Sequence, residues 1–359
     1  MPSIAEQVCP VTGGVDTHAE IHVAAVVDQV GRVLGTESFP TTAAGYRAAL
    51  AWMASHGPLD KVGVEGTGSY GGGLARYLSG QGVAVVEVIR PNRQARRRRG
   101  KSDIADAVAA ALAALNGEAS GSPKSHDGAV ESIRALRVAR RGAVKAATQA
   151  GNQLRDLAIT APEPLRASLV ALSTEARVAL AARFRPGPFT DPIAATKQAM
   201  ASVARRHQQL RAEIARLDVA LDELVPTVAP APFLALRGVG LQVASALLTT
   251  LGDNPTRLRG EASFAALCGA SPVDASSGKQ RRHRLNRGGD RQANSALWRI
   301  VLVRMARDPR TKAYVAKRTA EGKTTKEIIR CLKRYVAREV YKTLIRPAGR
   351  AISPSPAAA

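Results

Sequence analysis

The sequence predicts an α/β domain, then a long helical segment, then a mainly helical second domain. Three observations carry that architecture. Short valine-rich runs alternate with helix-period runs between residues 11 and 88, residues 130–225 stay helical in pattern almost throughout, and Pro226, Pro230 and Pro232 punctuate the chain before a further apolar region. In order, Val11–Asp16, His22–Asp28 and Val33–Phe39 read as strands, with a turn at Gln29–Arg32, so the chain opens with an antiparallel hairpin sheet. A helix over about Thr42–Ser55, a strand Lys61–Glu65, a helix over about Gly73–Ser79 and a strand Val83–Val88 complete the α/β pattern. Ser102 is placed to cap a helix at Asp103–Leu115, and the polar stretch Gly117–Asp127 is a loop. In the later helical segment Val203, Leu210, Ile214, Leu217, Leu221 and Leu224 follow a 3/4 spacing. That spacing fits a coiled-coil seam and equally a helix packed inside a bundle. The expected division is residues 11–116, a helical segment 128–226, a C-terminal domain 227–347 and a disordered tail 348–359.

Length and charge narrow the function. At roughly 150 residues per domain, 359 residues imply two domains. The chain carries 52 Lys and Arg against 29 acidic residues, a formal charge of +23. Residues 279–350 alone hold 22 cations and 5 acids, which is +17 of that total. A polyanionic partner follows. Six more cations, Arg93, Arg96, Arg97, Arg98, Arg99 and Lys101, crowd the approach to the Asp103 helix. With 45% apolar residues, wholesale disorder is excluded. The three cysteines, Cys9, Cys268 and Cys331, are scattered and odd in number, against a disulfide scaffold or a zinc module. No uncharged run approaches the ~18 residues of a membrane span, and no leader pattern opens the chain, so a soluble, cytoplasmic protein with no membrane partner is expected.

Two constellations carry chemistry. Asp16 ends the first strand, Glu65 ends a later one, and Asp103 and Asp106 share a helix face. A nuclease of the RNase H type needs such a set, because two Mg²⁺ ions about 4 Å apart require hard oxygen ligands converging from several elements. Taken singly, each acid is an ordinary turn or helix-start residue. Glycines flank Glu65 and arginines precede Asp103, which makes the set a candidate site. In the second half, Gly238-Val239-Gly240 before an apolar helix resembles a helix-hairpin-helix turn, where backbone amides approach a phosphate. An ordinary glycine-capped connection has the same sequence. Further on, Ser276-Ser277-Gly278-Lys279 is followed by Arg281, Arg282, His283, Arg284, Arg287 and Arg291. A serine hydroxyl amid cations can attack a phosphodiester, although a Ser-Gly step is by itself an ordinary turn.

The two constellations in this order, joined by helices, resemble the IS110/IS1111 family of insertion-sequence transposases and the related Piv-type invertases over about residues 11–345. The resemblance rests on Gly-Val-Asp-Thr-His at Asp16, Glu-Gly-Thr-Gly-Ser-Tyr at Glu65, Arg-Arg-Gly-Lys-Ser-Asp-Ile-Ala-Asp at Asp103 and Asp106, and Gly-Ala-Ser-Pro, Ser-Ser-Gly-Lys and Arg-Gly-Gly-Asp-Arg later. It implies a RuvC-like first domain with Asp16, Glu65, Asp103 and Asp106 as a DEDD set for Mg²⁺, and Ser277 as a nucleophile forming a phosphoserine link to DNA in a composite centre. Because Ser276 precedes Ser277, the nucleophile is open by one residue. The resemblance also implies donor and target DNA, a bridge-type guide RNA and a homo-oligomer, dimer or tetramer, associated with the nucleoid when bound to DNA. The competing class is a RuvC-like structure-selective endonuclease in which the acids hydrolyse DNA alone. A third is a nucleic-acid-binding protein without activity.

Overall fold

The structure, a computed structural model, describes residues 9–88, 102–185, 187–278 and 283–345. It divides into two compact units, residues 1–128 with 251–259, and residues 129–250 with 260–359.

The first unit is built on a five-stranded sheet. Its strands are β1 (Val11–Thr17), β2 (Ile21–Val27), β3 (Val33–Pro40), β4 (Leu59–Glu65) and β5 (Ala84–Val88), in the order β3-β2-β1-β4-β5. β1, β2 and β3 pair antiparallel, while β4 runs parallel to both β1 and β5. One face packs on α1 (Ala43–Ser55) and α2 (Gly72–Gly80), where Val15, Ala24, Val26, Val62 and Val64 meet Met53, Leu74 and Leu78. Full burial of each of those larger side chains stabilises the fold by ~1.5–3 kcal/mol. Thr42 caps α1, its hydroxyl accepting from Gly45 N at 3.1 Å.

The opposite face receives α3 (Asp103–Leu115), whose Ala107 packs on Val23 and Ala25. This approach depends on two glycines. A Cβ on Gly14 would lie 2.1 Å from Ala111 N and 2.4 Å from Ala107 O, and one on Gly63 would lie 2.4 Å from Ala110 O. The obstruction in each case is helix backbone, which cannot rotate aside. Gly14→Val is therefore expected to destabilise the first unit by about 3 kcal/mol or more and to push α3 off the sheet, read as a lowered urea midpoint. An unchanged midpoint contradicts this packing. Residues 251–259 complete the unit: Asn254 Nδ2 donates to Pro123 O at 2.9 Å, and Asn254 Oδ1 accepts from Ser125 N at 3.2 Å.

The second unit begins with two long antiparallel helices, α4 (Ala129–Thr160) and α7 (Pro192–Val228), with α5 (Leu165–Leu169) and α6 (Thr174–Ala181) between them. Leu154, Ala158, Leu169, Val178, Met200 and Ala204 form one core, against which Val203 packs; Ala143 and Ala147 meet Ile214 and Leu210 in another. Arg140 clamps Asp218 through two hydrogen bonds, of 2.5 and 3.0 Å. Val203, Leu210 and Ile214 of the 3/4 seam thus pack within the chain, and Leu221 is fully buried. The remainder is α8 (Ala231–Leu234), α9 (Leu241–Leu251), α10 (Glu261–Leu267), α11 (Arg291–Arg307), α12 (Pro309–Ala320) and α13 (Thr325–Ile345), in which Phe233, Leu247, Phe264, Leu297, Ile300 and Val336 are buried. A strand pair, β6 (Val273–Asp274) with β7 (His283–Arg284), interrupts this otherwise helical region. Among the described residues no helix is long and apolar enough to cross a membrane.

Candidate active site

Strand register sets the first cluster. Val15 pairs with Val64, so Asp16, one residue before the end of β1, lies beside Glu65 at the end of β4. Side chains alternate along a strand, and Gly14 and Gly63 face α3, so Asp16 and Glu65, two residues on, occupy that same face. Ser102 fixes where α3 starts, its Oγ accepting from Ala105 N at 3.2 Å. Asp103 is thereby the first helical residue, and Asp106, one turn later, is buried.

A residue with no role assigned from the sequence, His18, joins Asp16 to Asp103. His18 follows Asp16 by two, and its Nε2 lies 3.1 Å from Asp16 Oδ2 and 3.4 Å from Asp103 Oδ1. Asp16, His18 and Asp103 each present a ligand atom, all within 4.8 Å of one another, so the cluster has the make-up of a cation site. Period-two alternation from Asp16, inside the quoted Gly-Val-Asp-Thr-His, was the signal that could have found it. Burial, first, raises the Asp16 carboxyl above its ordinary range; His18 pulls it down, and the charges of Asp106 and Asp103 push it up again. Glu65 is half-buried at the strand end, where its backbone carbonyl accepts from Thr17 Oγ1 at 2.9 Å. Gly66, at φ +66°, makes the turn that follows.

The second cluster is the serine hairpin. Asp274 Oδ1 accepts from Ser276 N at 2.8 Å and from Ser276 Oγ at 2.5 Å, and these bonds hold the Asp274 carboxyl below its usual range. Ser276 is thus tied into the turn. Ser277 is exposed next to Gly278, whose φ is +56°. Arg284 sits in β7, and Arg287 and Arg291 are exposed beyond it. Arg96, Arg97, Arg98, Arg99, Lys101, Lys279, Arg281 and Arg282 lie outside the described residues.

The later motifs build the base of that hairpin. Gly289 abuts Gly269 so closely that a Cβ would lie 2.2 Å from Gly269 N. Asp290 caps α11, accepting from Gln292 N and Ala293 N, and its own N donates to Leu267 O at 2.7 Å. Asn294 Nδ2 donates to Cys268 O and Gly269 O, both at 3.0 Å. Gly-Ala-Ser-Pro and Arg-Gly-Gly-Asp-Arg are therefore two sides of one close contact. At the earlier turn Gly238 has φ +92° and a Cβ there would approach Ile300 Cα to 3.1 Å, while Gly240 faces open space before α9.

Comparison with known proteins points the same way. The family model described as Transposase, for the DEDD proteins of IS110 elements, matches residues 13–159, and that of the Transposase IS116/IS110/IS902 family matches residues 232–316. The insertion element IS110 uncharacterized 43.6 kDa protein of Streptomyces coelicolor is 31% identical over 156 residues, 42% of this chain. The match spans 37% of that protein's own length. With both family models matched in succession across more than half of its length, the chain belongs to the IS110 family of transposases.

Proposed function

We propose that this transposase cuts and rejoins DNA through a phosphoserine intermediate on Ser277, with Asp16, Glu65, Asp103 and Asp106 holding Mg²⁺ on an RNase H-like, RuvC-like sheet. A bridge-type RNA guides it to donor and target DNA. The observation that carries the reading is the cluster of Asp16, His18 and Asp103, which brings the end of β1, in a sheet of three antiparallel strands continued by two parallel ones, against the start of α3. The donor set suits a hard divalent cation, since carboxylate oxygens are its preferred ligands and the buried Asp16 is burdened by two neighbouring acids. Such a cation supplies charge stabilisation to phosphoryl oxygens when bound.

The chain's own residues do the rest. His18 orients the Asp16 and Asp103 carboxylates, and Ser102 fixes α3 so that Asp106 follows one turn behind. The Ser277 Oγ forms a bond to phosphorus as one sugar oxygen leaves; the hydroxyl proton passes to a base and the leaving oxygen takes one up. The serine ester retains the phosphodiester energy, so rejoining runs the same exchange backwards. Arg284, Arg287 and Arg291, with Arg96, Arg97, Arg98, Arg99, Lys101, Lys279, Arg281 and Arg282, contact phosphates, and the Gly238–Gly240 turn offers backbone amides to another. Trapping tests the reading: DNA carrying the element ends, incubated with protein and guide RNA and then denatured, is expected to remain linked to protein.

One observation favours hydrolysis by the acids alone. Asp274, the carboxylate nearest to Ser277 in sequence, is occupied by Ser276. Cleavage without any protein-linked end selects that reading.

Two further outcomes are expected. Affinity for duplex DNA should fall with log salt at a slope of about −0.9 per phosphate neutralised, and a flat response would make the basic C-terminal residues a merely solvated face. Sedimentation with nucleic acid should show a dimer or tetramer, because recombination joins four DNA ends; a monomer throughout removes the oligomer.

A further inference from the structure

The second unit holds a cavity of about 380 Å³ at the foot of the serine hairpin. Pro272 and Leu285, which flank the paired strands β6 and β7, form one wall; Arg330, Lys333 and Tyr335 of α13, with Lys323 just before that helix, form the other.

Charge in this wall is unbalanced. Lys333 is only 6% exposed, and its Nζ donates to Asn294 Oδ1 at 2.9 Å, a neutral acceptor. Among the described residues no carboxylate pairs with it: Glu261 is taken by Arg334 and Arg338, and Glu327 lies 4.0 Å from Arg330 while accepting from Thr324 N and Oγ1. A buried ammonium without counter-charge is costly, and an anion in the cavity removes that cost. Burial, then the charge of Arg330, press Lys333 toward losing its proton, as expected of a cation with its partner missing. The rest of the wall is not that of a plain anion site. Tyr335 is 51% exposed and Leu285 44% exposed, an aromatic and an aliphatic surface suited to a base. Cations beside such a surface, in a volume at the lower end of the ~300–1,000 Å³ typical of small-ligand sites, match one nucleotide. Pro272 lines the cavity and Ser277 follows it by five residues, at most about 18 Å along an extended chain.

We propose that this cavity seats one unstacked nucleotide of the DNA strand delivered to Ser277, its phosphate toward Lys333 and Arg330 and its base against Tyr335 and Leu285. The proposal rests on the reading of the hairpin as DNA-acting. Photocrosslinking tests it: the full chain is irradiated with a single-stranded DNA oligonucleotide bearing 4-thiothymidine, and linked peptides are mapped by mass spectrometry. Crosslinks are expected within residues 269–272, 283–286 and 330–335, reduced about tenfold in Tyr335→Ala and in Arg330→Ala. Lys333→Met tests the buried charge, with circular dichroism reporting whether it folds; the other two variants decide the matter if it does not. Crosslinks confined to other surfaces overturn the proposal. So does equal displacement of the oligonucleotide by inorganic phosphate, or crosslinking of the matching RNA but not of DNA. Protein-linked DNA is scored in parallel on element-end substrate. Linkage without cavity crosslinks keeps the serine mechanism and removes the nucleotide seat, whereas cavity crosslinks without linkage keep the seat and remove the mechanism.

Discussion

Asp16→Ala is expected to abolish DNA strand exchange in a protein that still folds and still binds nucleic acid. Asp16 is buried at the end of the central strand, against His18 and within the field of Asp103 and Asp106. Its removal deletes a ligand from the proposed cation site. A cation is worth several kcal/mol to phosphoryl transfer, and a loss on the order of 4 kcal/mol is about a thousandfold in rate. Asp106→Ala should behave alike, since Asp106 is likewise buried and shares the helix face of Asp103. Stability moves the other way. Because burial raises the Asp16 carboxyl above its reference of 3.8, the folded state binds that proton more tightly than the unfolded chain does. Ionised Asp16 therefore costs stability, and without metal the cost sets in as pH rises from about 3.8 through the raised value. Asp16→Asn is expected to unfold at a higher temperature than wild type above that window and to match it below. Adding Mg²⁺ should raise the wild-type melting temperature and leave Asp16→Asn unmoved. Retained strand exchange in Asp16→Ala, or equal Mg²⁺ stabilisation of both proteins, sinks the assignment.

What the sequence makes legible follows from the range of the forces involved. The five strands of the first sheet are readable to within one or two residues: burial leaves an apolar pattern along β1, β2, β4 and β5, while β3, buried only at Phe39, follows from the turn that precedes it. α3 is readable at both ends, since Ser102 caps it through a bond three residues long. The β6–β7 pair is not, because two-residue strands are too short to show alternation. Residues 251–259 join the first unit through Asn254, whose partners Pro123 and Ser125 lie about 130 positions earlier, a distance no local pattern spans. The 3/4 seam illustrates a different limit. Spacing marks an apolar stripe on α7, and only the alanines of α4 opposite Ile214 show what covers that part of it. At the acidic cluster, residue types and strand ends point to Asp16 and Asp103. The bridging role of His18 depends on a distance between two elements, which the one-dimensional string does not carry.

Ser277→Ala is expected to eliminate protein-linked DNA, and Ser276→Ala is expected to retain it. The hairpin gives the two neighbours different duties. Ser276 bonds to Asp274 through both its N and its Oγ, which closes the turn and commits that hydroxyl; Ser277 is exposed beside Gly278, whose positive φ turns the chain sharply next to it. An exposed hydroxyl can reach a phosphate, whereas one engaged in a 2.5 Å bond must first break it. A serine hydroxyl is a weak nucleophile until a base or a metal activates it, so exposure alone does not suffice, and the proposed mechanism expects the acidic cluster to be needed as well. The expected pattern has three parts. Ser277→Ala shows no adduct and no strand exchange at any time point. Ser276→Ala retains the adduct at a reduced rate, because losing its side-chain bond to Asp274 loosens the turn; its backbone bond remains. Asp16→Ala loses the adduct with the serine hydroxyl in place. Adduct persisting in Ser277→Ala and vanishing in Ser276→Ala moves the nucleophile by one residue. Cleavage with no adduct in wild type removes serine chemistry and leaves hydrolysis at the carboxylates. Each protein must be assayed with guide RNA and labelled element-end DNA and resolved under denaturing conditions, so that only a covalent link survives.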